Sequence, residues 1–483
     1  MRNSSWSAFG RMFGRRSLLA GVAGLAGLLA VPSLSSADEI FTADLGAFPV
    51  NGPNPLTSFD ISWVDRQLVN YFLADRSNAQ IDSIPIEALA PSFFIKAPAP
   101  NQFAGNVPAA QCADGMANDC SGPNGVVTFF NAAVPGSPLE IWAGDGPTVN
   151  PACPSSAPCS TVKVFVGLAA LLTAVIPTNG NERADEMCYD PDDNLMMVAN
   201  DADSPPFLTV ISTAGANRFQ VVQKINLNFA VGGIEQCVWN PVRQLFFVNL
   251  PGASGGDEII SVNPTTFAVT PFKFVNPNEC VGLRGLAIRG TGATAGDQML
   301  VGCNGVGPNG QQNSIVIDQF GNTVQVLFGH GGSDEVWSDP DSGHYFIAEG
   351  QRANGVAQLG IFDAFSQCFG TPGGPPCGPG FPNVSDIIPS NEDFGVIGQS
   401  VFLAFVGSST LNVHSVAAFS GVVPGLPNTW TIAFVPIPAG PGPGPAPFSS
   451  TICGRNGFTN FTRGCIGLIA TTPQQPLTVE AAE

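Results

Sequence analysis

Basic residues are scarce in this 483-residue chain: 18 Lys and Arg stand against 37 Asp and Glu, a formal net charge of −19. A polyanion of this kind repels phosphate backbones and anionic headgroups, so neither nucleic acid nor a membrane surface is an expected partner. No Cys-x-x-Cys or Cys-x-x-Cys-His occurs, which argues against a zinc ribbon, a thioredoxin-like site and covalent c-type haem. Beyond residue 37 no run of eighteen uninterrupted apolar residues is found, and no membrane span is expected in the mature chain. Amphipathic helices of convincing length are missing as well. Histidine occurs only at positions 330, 344 and 414.

What is present begins with an export signal. Arg2, Arg11, Arg15 and Arg16 precede an uncharged stretch from Ser17 to Val31, and Ser35-Ser36-Ala37 follows. A basic region, a short apolar region and small residues before the cleavage point read as a bacterial signal peptide over 1–37, and hence a periplasmic or secreted protein. Arg15-Arg16-Ser17-Leu18-Leu19 resembles a twin-arginine signal, with ordinary Sec export as the alternative. Loss of the four arginines takes the net charge from −19 to −23. The 12 cysteines fit an oxidising compartment. Four pairs lie close in sequence and flank Pro-, Gly- or Asn-rich loops: Cys112/Cys120, Cys153/Cys159, Cys368/Cys377 and Cys453/Cys465. The connectivity of Cys188, Cys237, Cys280 and Cys303 stays open.

A repeat runs through the remainder. Asp185-Glu186-Met187-Cys188-Tyr189-Asp190-Pro191 leads to Met197-Val198-Ala199-Asn200, Glu235-Gln236-Cys237-Val238-Trp239-Asn240-Pro241 to Phe247-Val248-Asn249, and Asp334-Glu335-Val336-Trp337-Ser338-Asp339-Pro340 to Phe346-Ile347-Ala348. Each copy is a polar residue, a strand, a turn on Asp/Asn-Pro and a second strand, which is a β-hairpin. Weaker copies begin at Asp60, Asn124, Arg284 and His414, giving seven in all. A third and fourth strand follow several hairpins, and four strands per unit of about fifty residues are propeller blades. The predicted fold is all-β: one seven-bladed propeller of four-stranded antiparallel blades over 38–475, with insertions near 88–123, 146–160 and 366–410 and a flexible tail at 476–483. A strand near Phe41–Val50 is expected to complete the last blade. Trp63, Trp239 and Trp337 are expected in the core between blades.

Hairpins ending in Val-Ala-Asn or Val-Asn, with a strand running into Val262-Asn263-Pro264-Thr265-Thr266-Phe267-Ala268-Val269, resemble the YVTN, lactonase-like seven-bladed propeller superfamily. That resemblance implies the fold over nearly the whole mature chain. It leaves the activity open, since the superfamily hosts lactonases, ligand-binding proteins and surface-layer modules.

In such a ring the leading residues of the first strands share one face with the ends of the second strands. Asp60, Asn124, Asp185, Glu235, Arg284, Asp334 and His414 are therefore expected at the mouth of the axial channel, joined by Asp75, Asp145 and Asp201. Packed carboxylates raise one another's pKa or recruit a cation. His330, Asp334, His414 and Asp60 are the candidate ligands of one divalent cation, Ca, Mg, Mn or Zn. Asp185, Glu235, Arg284, Asn124, Asp75 and Asp201 are the candidate ligand-binding set, with Arg284 placed to hold an anionic group. Against this stands the simpler role of Asp and Asn at strand starts, which is to bond nearby amides and fix the turn. Gly252-Ala253-Ser254-Gly255-Gly256 and Gly305-Val306-Gly307-Pro308-Asn309-Gly310 match catalytic and dinucleotide motifs only literally, because neither opens a helix. Two functions follow: an exported monomeric propeller that binds a small molecule, metal or protein at its acidic mouth, or a metal-dependent hydrolase or lyase of lactonase type acting at the same face.

Overall fold

The hairpin turns are closed by their own side chains. Asp65 Oδ1 accepts the amides of Gln67 and Leu68 at 2.9 and 2.8 Å. Asp190 Oδ1 accepts those of Asp192 and Asp193 at 2.8 and 3.1 Å, and Asn240 Oδ1 those of Val242 and Arg243 at 3.0 Å each. Where proline follows, its fixed φ presets the turn and it has no amide to satisfy. The residue before the second strand is then left-handed, with φ of 54° at Val69, 57° at Asn194, 50° at Gln244 and 74° at Gly343. Four unlike side chains in one conformation show that the turn, not the residue, sets the backbone there.

The computed structural model describes residues 42–50, 52–86, 93–112, 114–154, 157–167, 169–289, 298–350, 358–363, 413–422, 429–439 and 464–471. The hairpins grow into seven separate antiparallel sheets, six of four strands and the sixth blade of three among the described residues. Their innermost strands are Ser62–Asp65, Val126–Phe130, Met187–Asp190, Cys237–Asn240, Leu283–Ile288, Val336–Asp339 and Ala417–Val422. Each packs beside the next in chain order, and the last packs beside the first, which closes a ring. The seventh blade takes its outermost strand from the other end of the chain: Thr42–Pro49 pairs antiparallel with Cys465–Thr471, Thr42 opposite Thr471 and Pro49 opposite Cys465. The expected closure by the segment near Phe41–Val50 is thus found.

The apolar core lies between blades. Met197, Leu208, Trp239 and Phe246 fill the gap between blades three and four, and Tyr71, Ile432, Phe434 and Leu468 that between seven and one. Second strands such as Leu195–Asn200 are buried along their length, whereas the outer strand Gln220–Asn226 is mostly exposed. That gradient is why the inner strands read as apolar runs and the outer ones as polar. Trp239 sits between blades as expected, and Trp63 and Trp337, partly buried, pack against inter-blade clusters as well. They meet edge to face at 5.2 Å, and since blades one and six are not neighbours, this contact crosses the axial channel.

Disulfides join Cys112 to Cys120 and Cys153 to Cys159, as the spacing predicted, and Cys188 to Cys237 and Cys280 to Cys303, which the sequence left open. Cys465 is also disulfide-bonded. The 1–37 signal, Cys368, Cys377, Cys453, the 366–410 insertion and the 476–483 tail lie outside the described residues. No helix among the described residues is long and apolar enough to cross a membrane.

Cys188 and Cys237 stand on the innermost strands of blades three and four, so their bond clips two blades together across 49 residues. A loop of that size is worth up to about 4 kcal/mol in the chain-entropy account. The double variant Cys188→Ala/Cys237→Ala is expected to lose about 2–4 kcal/mol in urea unfolding; an unchanged midpoint would show that the clip adds nothing to the ring.

Candidate ligand site at the channel mouth

The innermost strands converge at one end, and their leading residues are tied into a chain of contacts. Asp60 is held by the Arg76 guanidinium and lies 3.5 Å from His414 Nε2. Arg76 Nε donates to Asn124 Oδ1 at 2.9 Å and its Nη1 to Asn118 Oδ1 at 2.5 Å. Asn124 Nδ2 donates onward to the carbonyls of Ala184 and Ser121, both at 3.0 Å. Arg183 Nη2 grips Asp185 at 2.7 Å and Asp201 at 2.8 Å, and its Nε reaches Asp201 at 3.2 Å. Arg284 binds Glu235 and stands 3.8 Å from Asp334.

The expected funnel of carboxylates is therefore largely neutralised. Three arginines interleave with the acids, and two of them, Arg76 and Arg183, were not among the sequence candidates. The signal was adjacent: Arg76 follows Asp75, and Arg183 precedes Asp185 by two positions. Burial acts to raise Asp60, but Arg76, the His414 hydrogen bond and Arg183 outweigh it and hold the carboxyl well below its usual range. Burial likewise acts against charge on His414, yet Asp60 and Asp334 keep its pKa raised. Asp185 is pushed well up by burial despite Arg183, with Asp60 and Asp201 adding to the effect.

Several candidates are engaged within the protein. Asp75 is fully buried and caps the turn through the Asn78 amide at 3.1 Å and Asn78 Nδ2 at 2.6 Å. Asp145 is buried against Lys163 and accepts the Ala104 amide at 2.9 Å. Asn124, fully buried, bonds as described. For these three the turn-fixing and cross-linking role is the one the structure displays. The four-residue cation set does not assemble either. His330 turns to blade six, with Nδ1 2.8 Å from Glu349 Oε1 and its ring edge-on to Phe362, while Asp60 is taken by Arg76. Among the described residues no three His, Cys, Asp or Glu side chains converge as metal ligands. The reason is that His330 lies in a loop whose path the strand repeat does not set.

One step below the mouth, the sequence reading expected mostly apolar residues. Instead Glu186 of blade three and Glu335 of blade six share a side-chain hydrogen bond. Those blades are not neighbours, so the bond spans the axis. Both residues are almost fully buried. Burial, then the facing carboxyl and Asp185, raise Glu186 far above its usual range, and burial with Asp334 and Asp60 pushes Glu335 up to about 8. Both shifts run upward, so near neutrality the pair is held in its protonated, uncharged form. With the Trp63–Trp337 contact, the channel is crossed by side chains at two levels.

Between blades three and four a cavity of about 830 Å³ opens. Arg183, Asp201 and Asp203 line one side, Glu235 and Arg284 the other, and Met116, Asn118 and Asp119 of the 88–123 insertion form a wall. The insertion is fixed in place by the Cys112–Cys120 bond and by Arg183, whose amide donates to the Asp119 carbonyl at 2.6 Å and whose Nη1 donates to the Asn118 carbonyl at 3.3 Å. Of the sequence candidates, Asp201, Glu235 and Arg284 meet here.

No family model and no curated protein matches the chain. Among solved structures it is similar to a chain of a mitotic checkpoint complex, at 10% identity and TM-score 0.41 over 75% of this chain and 86% of that one. It is similar to a luciferin-regenerating enzyme at 13% identity and TM-score 0.39, over 64% and 88%, and to the Neurospora crassa Pan2 WD40 domain at 10% and 0.40, over 68% and 90%. These likenesses carry no argument about activity; the propeller assignment rests on the seven sheets and their ring order.

The raised pair has a consequence for stability. Unfolded glutamates release their protons near pH 4.3, whereas Glu335 keeps its proton until about pH 8 and Glu186 is raised as well. Over that window the native state binds more protons than the unfolded state, so stability falls as pH rises, by up to about 1.4 kcal/mol per pH unit for each proton. In Glu186→Gln one of the two raised acids is gone, and urea midpoints measured from pH 5 to 8 are expected to show a flatter slope than wild type. Equal slopes would mean that Glu186 is not held protonated there.

Proposed function

We propose that this protein is an exported, ligand-binding propeller whose site is the cavity at the channel mouth between blades three and four. The observation that carries the reading is the cavity itself, where charged groups from blades three, four and five and a disulfide-stapled insertion converge. Concave sites of this size with a few converging polar groups are where small ligands bind. Arg284 is one third exposed in its side chain and is positioned to meet an anionic group, while Asp201 and Glu235 fix its surroundings.

The disulfides favour an extracytoplasmic location, in line with the signal reading at 1–37. Resemblance to the YVTN, lactonase-like superfamily is compatible with ligand binding and with catalysis alike. The lactonase-type reading needs a bound cation, and the donors proposed for it do not fit: Asp60 is paired with Arg76, His330 with Glu349, and Asp334 lies beside Arg284. No catalytic step is derived through it.

The test is thermal denaturation of the mature protein with a panel of small carboxylates, amines, zwitterions and sugars at millimolar concentration. At least one chemical class is expected to raise the midpoint by about 2–5 °C, and Arg284→Ala is expected to alter that response. A panel with no shift for any class, in wild type and variant alike, would remove the cavity as a ligand site.

A further inference from the structure

The charged side chains that line the cavity are engaged with the protein itself. Arg183 holds Asp185 and Asp201 and lies 3.8 Å from Asp119. Asp203 Oδ1 accepts the Asn181 amide at 2.8 Å, and Glu235 binds Arg284. A ligand ion has to compete with these internal partners, and each pair it opens leaves a charge uncompensated. What the groups keep is hydrogen-bonding capacity. A carboxylate has about four lone-pair sites and a guanidinium five N–H donors, and Arg284 meets Glu235 and Asp334 through Nη1 and Nε. An anionic group reaches Arg284 only in competition with Glu235, whereas a hydroxyl oxygen accepts from it without that contest. Asn118, Ser204 and Asn228 add uncharged donors and acceptors to the lining, and all three are exposed.

We infer that the cavity binds a neutral oligosaccharide, an inference that rests on the cavity being a ligand site. A hydroxyl group donates and accepts at once, so it serves carboxylate, guanidinium and amide alike and leaves every ion pair closed. Sugar rings also carry C–H faces. Met116 and Val231, 58% and 74% exposed, line the cavity with Pro205, and such a face loses water against them. At about 830 Å³ the cavity lies high in the range of about 300–1,000 Å³ for small-ligand sites and has room for more than one ring.

Isothermal titration of the whole mature protein with maltotriose, cellotriose and tri-N-acetylchitotriose, beside succinate and putrescine, tests this. At least one trisaccharide is expected to bind saturably. Its affinity is expected to hold constant between about 0.01 M and about 1 M salt, since the ligand carries no charge to be screened. Asn228→Ala and Ser204→Ala each remove one exposed hydrogen-bonding group and are expected to weaken binding by up to about tenfold, with the melting midpoint of the free protein unmoved. Absence of trisaccharide binding, or binding indifferent to both variants, overturns the inference. Succinate or putrescine binding that falls with salt, without trisaccharide binding, overturns the saccharide assignment and keeps the cavity reading. No binding of any probe overturns both readings.

Discussion

A blade of this kind has two apolar faces, and a single sheet left alone exposes both. Only a closed ring buries every face against a neighbour, so closure is the constraint on which the rest depends. The chain meets it with a strand from residues 42–49 that completes the blade formed near its other end, and with an apolar cluster joining blades seven and one. Closure then dictates chemistry. Innermost strands converge on an axis, and residues as far apart in sequence as Asp60 and His414 come within 3.5 Å. In a chain with twice as many acids as bases, that convergence gathers negative charge in a partly dry space, where it is costly unless compensated.

Compensation takes two forms. At the rim, arginine does it: Arg183 engages two carboxylates through one planar guanidinium, a task for which lysine lacks the geometry. One layer down protonation does it, with Glu186 and Glu335 both raised toward their neutral forms. Glu182 is buried, and its Oε2 has no hydrogen-bond partner.

How much of this was legible in the sequence follows from the range of each interaction. The hairpins announced themselves because Asp190, Asn240 and Asp65 bond amides two and three residues away, and local bonds leave local patterns. Their spacing gave the blade count, and the count gave the set of leading residues. Arg76 and Arg183 were not legible as site residues because they lie beside the leading positions, not on them. Glu186 and Glu335 stood in plain view as second acids, but their pairing depends on two non-adjacent blades facing each other across the axis, which a repeat frame does not encode. Cys188 and Cys237 differ by one place in that frame. Alternate strand residues face opposite sides, so one points forward and the other back into the same gap between blades. His330 failed as a cation ligand for the complementary reason, since loop geometry is free of the repeat.

A channel crossed by an acid pair and by two indoles is not a passage. On the proposed ligand-binding reading, a ligand approaches from one face and stops there, which assigns selectivity to the rim and the loops above it. The rim is locked by its own ion pairs around most of the ring, and a locked pair has no charge to offer a ligand without first breaking. The cavity between blades three and four is walled in part by the 88–123 insertion. Insertions that lie outside the repeat are free to vary without disturbing closure. If the cavity takes a ligand as proposed, the insertion over it is the element by which the chain can set ligand preference while keeping the ring unchanged.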